Sequence, residues 1–170
     1  MSFSPLEMPS LDKIAKEVGV IFDKSLIFFE NDPAWAARTG AYFCLADAET
    51  GLALIILAVG TVPPDKAEKY LTNCVEKAGR LAEHPEHLSS WESRDPDKQQ
   101  WGGAIRGFDP FIYSLSGLPE LGDEAVMIAL VHKLRMRVGY KIDEIAEKSH
   151  NPYSLPLYEF LKRSYYFLDS

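Results

Sequence analysis

The residues best suited to chemistry gather between Trp101 and Glu124. Trp101-Gly102-Gly103-Ala104-Ile105 is followed closely by Ser114-Leu115-Ser116-Gly117, and then by Glu120, Asp123 and Glu124. Glycine weakens a strand, so glycines inside one mark a bulge or the close approach of another backbone or a ligand. On an extended strand, alternation puts Ser114 and Ser116 on one face and Phe111, Tyr113 and Leu115 on the other. Small side chains there leave either a groove or room for tight packing of the helix that follows Pro119. Asp123 and Glu124 also read in two ways. Carboxylates at a helix start cap free amides and suit the positive end of the dipole. A buried one would have its pKa raised toward neutrality and serve as a general base, with Tyr113 assisting. The candidate ligand-binding residues are therefore Trp101, Gly102, Gly103, Tyr113, Ser114, Ser116, Asp123 and Glu124.

His84-Pro85-Glu86-His87 brings together two imidazoles and a carboxylate, types that bind metals; imidazole is also a haem ligand. Pro85 interrupts the spacing needed for one helical face, so the expectation is a solvated helix end and no metal. His132 and His150 are isolated and expected to be structural. There is no nucleophile elbow, phosphate-binding loop or dinucleotide fingerprint. A triad of Ser116, His132 and Asp123 would rest on residue type alone. Cys44 and Cys74 do not make a secreted disulfide framework, and Cys74 falls in an apolar stripe, where an inert buried thiol is expected.

A net charge of −7 and a pI near 5.1 argue against nucleic-acid binding, which draws its affinity from neutralised phosphates. The basic group Lys133, Arg135, Arg137 and Lys141 is expected at the exposed end of a helix, where cations suit the dipole. No signal-like N-terminus is visible, and the longest apolar run, Leu52 to Val59, is too short to span a bilayer. A cytoplasmic protein without membrane contact is expected. The length of 170 residues fits one domain.

These residues need elements to hold them. Ser10 can cap a helix from Leu11, stopped by Asn31-Asp32-Pro33 and followed by a short turn through Trp35, giving an N-terminal helical region over 10–38. Ala41 to Ala46 and Leu52 to Val59 read as a hairpin, with Gly51 taking a positive φ. The second strand is apolar on consecutive positions, which predicts cover on both faces. After Pro63-Pro64-Asp65 a helix follows, with Ala67, Tyr70, Leu71, Cys74, Val75, Ala78, Leu81 and Ala82 as its stripe. Lys77 and Arg80 fall on its other face. Ser89 to Arg94, Trp101 to Arg106 and Phe111 to Gly117 read as strands, with a turn at Gly107 to Pro110. Ala125 to Val131 predicts the most buried helix. Tyr140 to Lys148 and Leu155 to Leu168 complete a C-terminal helical extension over 140–168. The fold class is α/β of the α+β type, with a central antiparallel sheet of about five strands, a hairpin plus a three-stranded meander, flanked by helices. In the tail, Tyr158, Phe160, Leu161, Tyr165, Tyr166, Phe167 and Leu168 are more apolar groups than one helix face buries. They either wrap the core or join a partner, and a homodimer is expected.

Asp47-x-x-x-Gly51, Glu76-Lys77-Ala78, Gly102-Gly103-Ala104-Ile105, Ser114-x-Ser116-Gly117 and Asp123-Glu124 follow one another in order. On these pieces the chain resembles the haem-binding and GlcG-type family of profilin-like α/β domains, over about residues 41–131. The resemblance implies a five-stranded antiparallel sheet with ligand binding or subunit contacts at its glycine-rich end. It also implies haem or another small ligand, and an oligomer. The expected function is a small-molecule-binding or sensory domain. The alternatives are a small enzyme using Asp123 or Glu124 as base, and an interaction protein using its aromatic tail.

Overall fold

The computed structural model describes residues 9–107, 110–135 and 139–164. Helix α1 (Leu11–Phe28) starts where the Ser10 side chain accepts a hydrogen bond from the Lys13 amide at 3.2 Å. Ile14, Val18, Ile21 and Phe22 recur at helical spacing and are fully buried. Pro33–Trp35 forms a 3-10 turn capped by Asp32, which delivers Trp35 into the core. Strands β1 (Gly40–Asp47) and β2 (Ala53–Gly60) form the expected hairpin. Asp47 Oδ1 accepts from the amides of Glu49 and Thr50 at 2.9 and 2.8 Å, and Gly51 takes φ +74°, a value that favours glycine.

Helix α2 (Ala67–Ala82) crosses one face of the sheet and leads to β3 (Ala104–Arg106) and β4 (Phe111–Ser116). Helices α3 (Glu120–Arg135), α4 (Gly139–Ser149) and α5 (Ser154–Arg163) follow among the described residues. The strand order is β2-β1-β4-β3, antiparallel throughout. On one side α2 covers Cys44, Ala46, Ala104 and Ile112. On the other, α1 and α3 cover Phe43, Leu45, Ile105, Tyr113 and Leu115, and α5 packs on α3.

The mixed architecture and the antiparallel sheet match the sequence reading, but among the described residues the sheet has four strands rather than five. The missing one is Ser89 to Arg94. Ser90–Ser93 instead forms a 3-10 turn, with Glu92 Oε2 accepting from the amides of Leu88 and Ser89 at 2.6 and 3.2 Å. A carboxylate three residues after a serine favours a local helical turn over extended chain. This segment meets the sheet through a Ser89–Ile105 bridge.

Three further expectations need correction. Strand β2 is covered on one face only: α2 lies over β1, β4 and β3, leaving Leu54 and Ile56 51% and 44% exposed. Lys77 and Arg80 are buried, whereas Val75 of the supposed stripe is exposed. The helix is rolled toward acceptors described below. Lys133 is also buried rather than displayed at a helix end; the side chains of its companions Arg135, Arg137 and Lys141 lie outside the described residues.

Helix α3 is, as expected, buried all round, with Ala125 to Val131 each at most 5% exposed. The described part of the tail wraps its own core. Phe160 stacks on Phe28 at 4.6 Å between centroids, and Tyr153 meets Phe29 and Trp35 edge-on. Tyr165 to Leu168, and Phe108 and Asp109 of the expected turn, lie outside the described residues. Among the described residues, no helix is long and apolar enough to cross a membrane.

Candidate functional site

Lys77 projects from α2 across the end of β4 toward the first turn of α3. Its Nζ donates to Leu115 O at 2.7 Å and to Asp123 Oδ2 at 3.1 Å. Asp123 Oδ1 in turn accepts from the Leu118 amide at 2.9 Å, the capping role foreseen for it. Both side chains are almost wholly buried. Burial pushes the Asp123 carboxyl up to about 6, against the opposing pull of the Lys77 charge and the Leu118 amide.

Gly103 explains the glycine pair. Its φ is +119°, and a Cβ there would stand 2.7 Å from Lys77 Nζ and 2.8 Å from Asp123 Cβ. The backbone passes directly against the ion pair, so a side chain at this position would displace it. The neighbouring Gly102 amide donates to Glu120 Oε2 at 2.9 Å. Glu120 also takes two bonds from Arg94 Nε at 2.8 and 2.9 Å, and the Arg94 guanidinium lies over the rings of Trp91 and Trp101. Arg80 completes the frame, donating to Ser90 O, Ser93 Oγ and Trp101 O at 2.9, 2.5 and 2.6 Å. Two arginines thus bind the 90–103 segment to helices on both sides of it.

Above the ion pair lies a cleft of about 210 Å³. Lys69, Tyr70 and Asn73 enter it from α2, Arg38 from the approach to β1, and Trp101 from the anchored loop. Arg38 Nη1 donates to Gly117 O at 3.2 Å. Both carboxylates on the wall are already matched, Asp123 with Lys77 and Glu120 with Arg94. Arg38 and Lys69 make no ion pair among the described residues. The cleft therefore offers more donors than acceptors.

Of the eight residues singled out from sequence, Trp101, Ser116 and Asp123 line this cleft, and Gly102 and Gly103 shape it through their backbones. The others lie elsewhere. Tyr113 is fully buried on the opposite face of the sheet. Ser114 Oγ donates to Cys74 O at 2.8 Å, joining strand to helix. Glu124 faces the C-terminal helices, where Ser149 Oγ and Asn151 Nδ2 donate to its Oε2 at 2.5 and 2.7 Å. Its Oε1 is buried without a partner, and burial pushes its carboxyl up to about 6. Sequence reasoning missed Lys77, Arg38, Lys69 and Asn73. The available signal was the position of Lys77 between Cys74 and Ala78, flanked by the buried stripe.

A larger cavity of about 480 Å³ opens between α3, α4 and α5. Its walls are mainly apolar, from residues such as Ile128, Ala129 and Leu155, while Asp143 and His150 stand exposed at its edge. Cys44 and Cys74 are free and buried; burial pushes their thiols up to about 11 and about 12, so neither is a ready nucleophile. Among the described residues no histidine lines the polar cleft. Comparison with protein-family models, with curated proteins and with solved structures finds no match.

Proposed function

We propose that this protein binds a small anionic molecule, of the size of a short-chain carboxylate, in the cleft between α2 and the start of α3. The observation that carries this reading is the surplus of donors above a buried ion pair. Lys69, Arg38, Tyr70 and Asn73 converge on about 210 Å³, and the two carboxylates there are already matched. Such a volume is below that of drug-sized pockets, which limits the ligand to a few heavy atoms. The Lys77–Asp123 pair serves as a rigid floor, and Trp101 as an apolar side wall. A panel of short mono- and dicarboxylates tested by thermal shift checks the reading, because a ligand that binds only the folded state raises its stability. Lys69→Ala and Asn73→Ala, both on accessible positions of α2, are expected to keep the wild-type melting temperature and lose the ligand-induced rise. A panel that leaves the wild type unmoved contradicts the proposal.

An enzymatic role for the same site is favoured by one feature, the carboxyl of Asp123 raised to about 6 beside a lysine. On that reading Asp123 exchanges a proton with a bound acid, and its activity profile turns on the same group.

We also propose that the protein pairs with a second copy through β2. This edge strand carries no charge and no proline, and shows Leu54 and Ile56 to solvent. Exposed edges of this kind readily pair with another strand, and antiparallel pairing about a two-fold axis satisfies both copies equally.

A further inference from the structure

We propose that the turn following α2 is a binding site for a divalent late transition-metal ion, held by His84 Nδ1, Glu86 Oε1 and His87 Nε2. Pro85, which prevents these residues from sharing a helical face, is what brings them together. It occupies the second position of a four-residue turn closed by a hydrogen bond from the His87 amide to His84 O at 2.9 Å, where its fixed φ is favourable. The first and last residues of such a turn lie close, with the two imidazole centroids 4.6 Å apart; the rings now stack, and each turns about its side-chain torsions to aim an in-plane lone pair at a shared ion. The backbone beneath is fixed from β3. Arg106 donates to Leu81 O, His84 O and His87 O at 2.7, 3.1 and 3.0 Å.

One carboxylate oxygen faces both rings. Glu86 Oε1 stands 3.4 Å from His84 Nδ1 and 3.6 Å from His87 Nε2, and the three ligand atoms all lie within 4.8 Å of one another. These two separations are longer than the usual N–H···O distance of about 2.9–3.0 Å. They are close to the edge of roughly 3.4 Å in a tetrahedron whose metal–ligand bonds are about 2.0–2.1 Å, and the edge between the two nitrogens, no longer than 4.8 Å, closes toward that value as the rings turn. Two imidazoles and one carboxylate suit zinc, cobalt, nickel or copper, whereas calcium and magnesium prefer oxygen ligands alone. Glu86 is 67% exposed, so water has access to the remaining coordination position. His87 Nδ1 is buried without a hydrogen-bond partner. With no outer group orienting that ring, the affinity is expected in the micromolar range rather than that of an enzyme's resident metal.

The test is calorimetric titration of the full chain, carrying no polyhistidine tag, with zinc chloride. The expected result is one ion per chain, with affinity reduced at least about tenfold in His84→Ala and in His87→Ala. Both rings are partly exposed, so these variants are expected to melt like the wild type without metal. Cobalt(II) supplies a second readout. A visible absorption band of a four- or five-coordinate site is expected in the wild type and not in His84→Ala. Absence of zinc binding by the wild type overturns the assignment, as does binding undiminished in the His84→Ala/His87→Ala double variant.

Discussion

Lys77 and Asp123 stand in a place where a charge pair is difficult to justify by stability alone. Removing two ions from water is expensive, and an apolar pair of similar volume often serves as well or better. Removing one partner is another matter, because it strands the other charge. Asp123→Ala and Lys77→Ala are each expected to lose about 3–5 kcal/mol in urea denaturation; Lys77→Met/Asp123→Leu strands no charge and unpairs only Leu115 O and the Leu118 amide, so it is expected to lose less than either single variant. A double variant as unstable as the singles would mean that the pair itself holds the fold. Glu124 gives a second expectation at this scale. Its folded-state value of about 6 lies above the ordinary 4.5, so the folded protein binds this proton more tightly than the unfolded chain does. The resulting stability is complete below about 4.5 and is lost as pH rises through about 6. Relative to Glu124→Gln, the wild type should gain about 2 kcal/mol on acidification from neutral pH to 4.5. Parallel melting curves for the two proteins across that range would show that Glu124 does not titrate there.

At the scale of elements, the site depends on a segment of short 3-10 turns and loop that holds neither strand nor α-helix. The stretch from Ser90 to Gly103 reaches the cleft because Arg80 holds it from α2 and Glu120 holds it from α3. Arg80→Met leaves those carbonyls without their charged donor, at about 1.5–3 kcal/mol for each such bond before relaxation. Hydrogen exchange should accelerate across 90–102 while α3 keeps its protection; uniform loss of protection would mean that the segment is an inseparable part of the core. The same stretch marks where sequence reading reached its limit. Helical spacing of apolar residues gave α1 and α2, and unbroken apolar runs gave the second strand of the hairpin and α3. The turn Asp47 to Gly51 was legible from residue type, as was the close approach at Gly103. What periodicity could not give was the roll of α2. Lys77 and Arg80 resemble solvent residues until their partners, Leu115 O, Asp123 and Trp101 O, are placed by the rest of the chain. The strand expected at Ser89 to Arg94 failed for a related reason: Glu92 caps its own backbone, and a local turn prevailed over an extended pattern.

At the scale of the whole molecule, the sheet is covered unevenly. Helices α1, α3 and α5 form a thick layer on one side, while α2 alone protects the other and leaves β2 partly bare. Light scattering is expected to give a dimer for the full chain and a monomer for Ile56→Lys, which places a charge on the open face of the edge strand. A monomeric wild type would refute pairing through β2 and leave the reading of the cleft, lined from α2, β4 and α3, as it stands. The cleft is the central claim, and its most direct test is titration of the wild type and of Lys69→Ala/Asn73→Ala with the carboxylate giving the largest thermal shift. Saturable binding by the wild type, lost in a double variant that melts at the same temperature without ligand, is the predicted result. Equal binding by both proteins would contradict the account, because the ligand would then sit away from the donors that line the cleft.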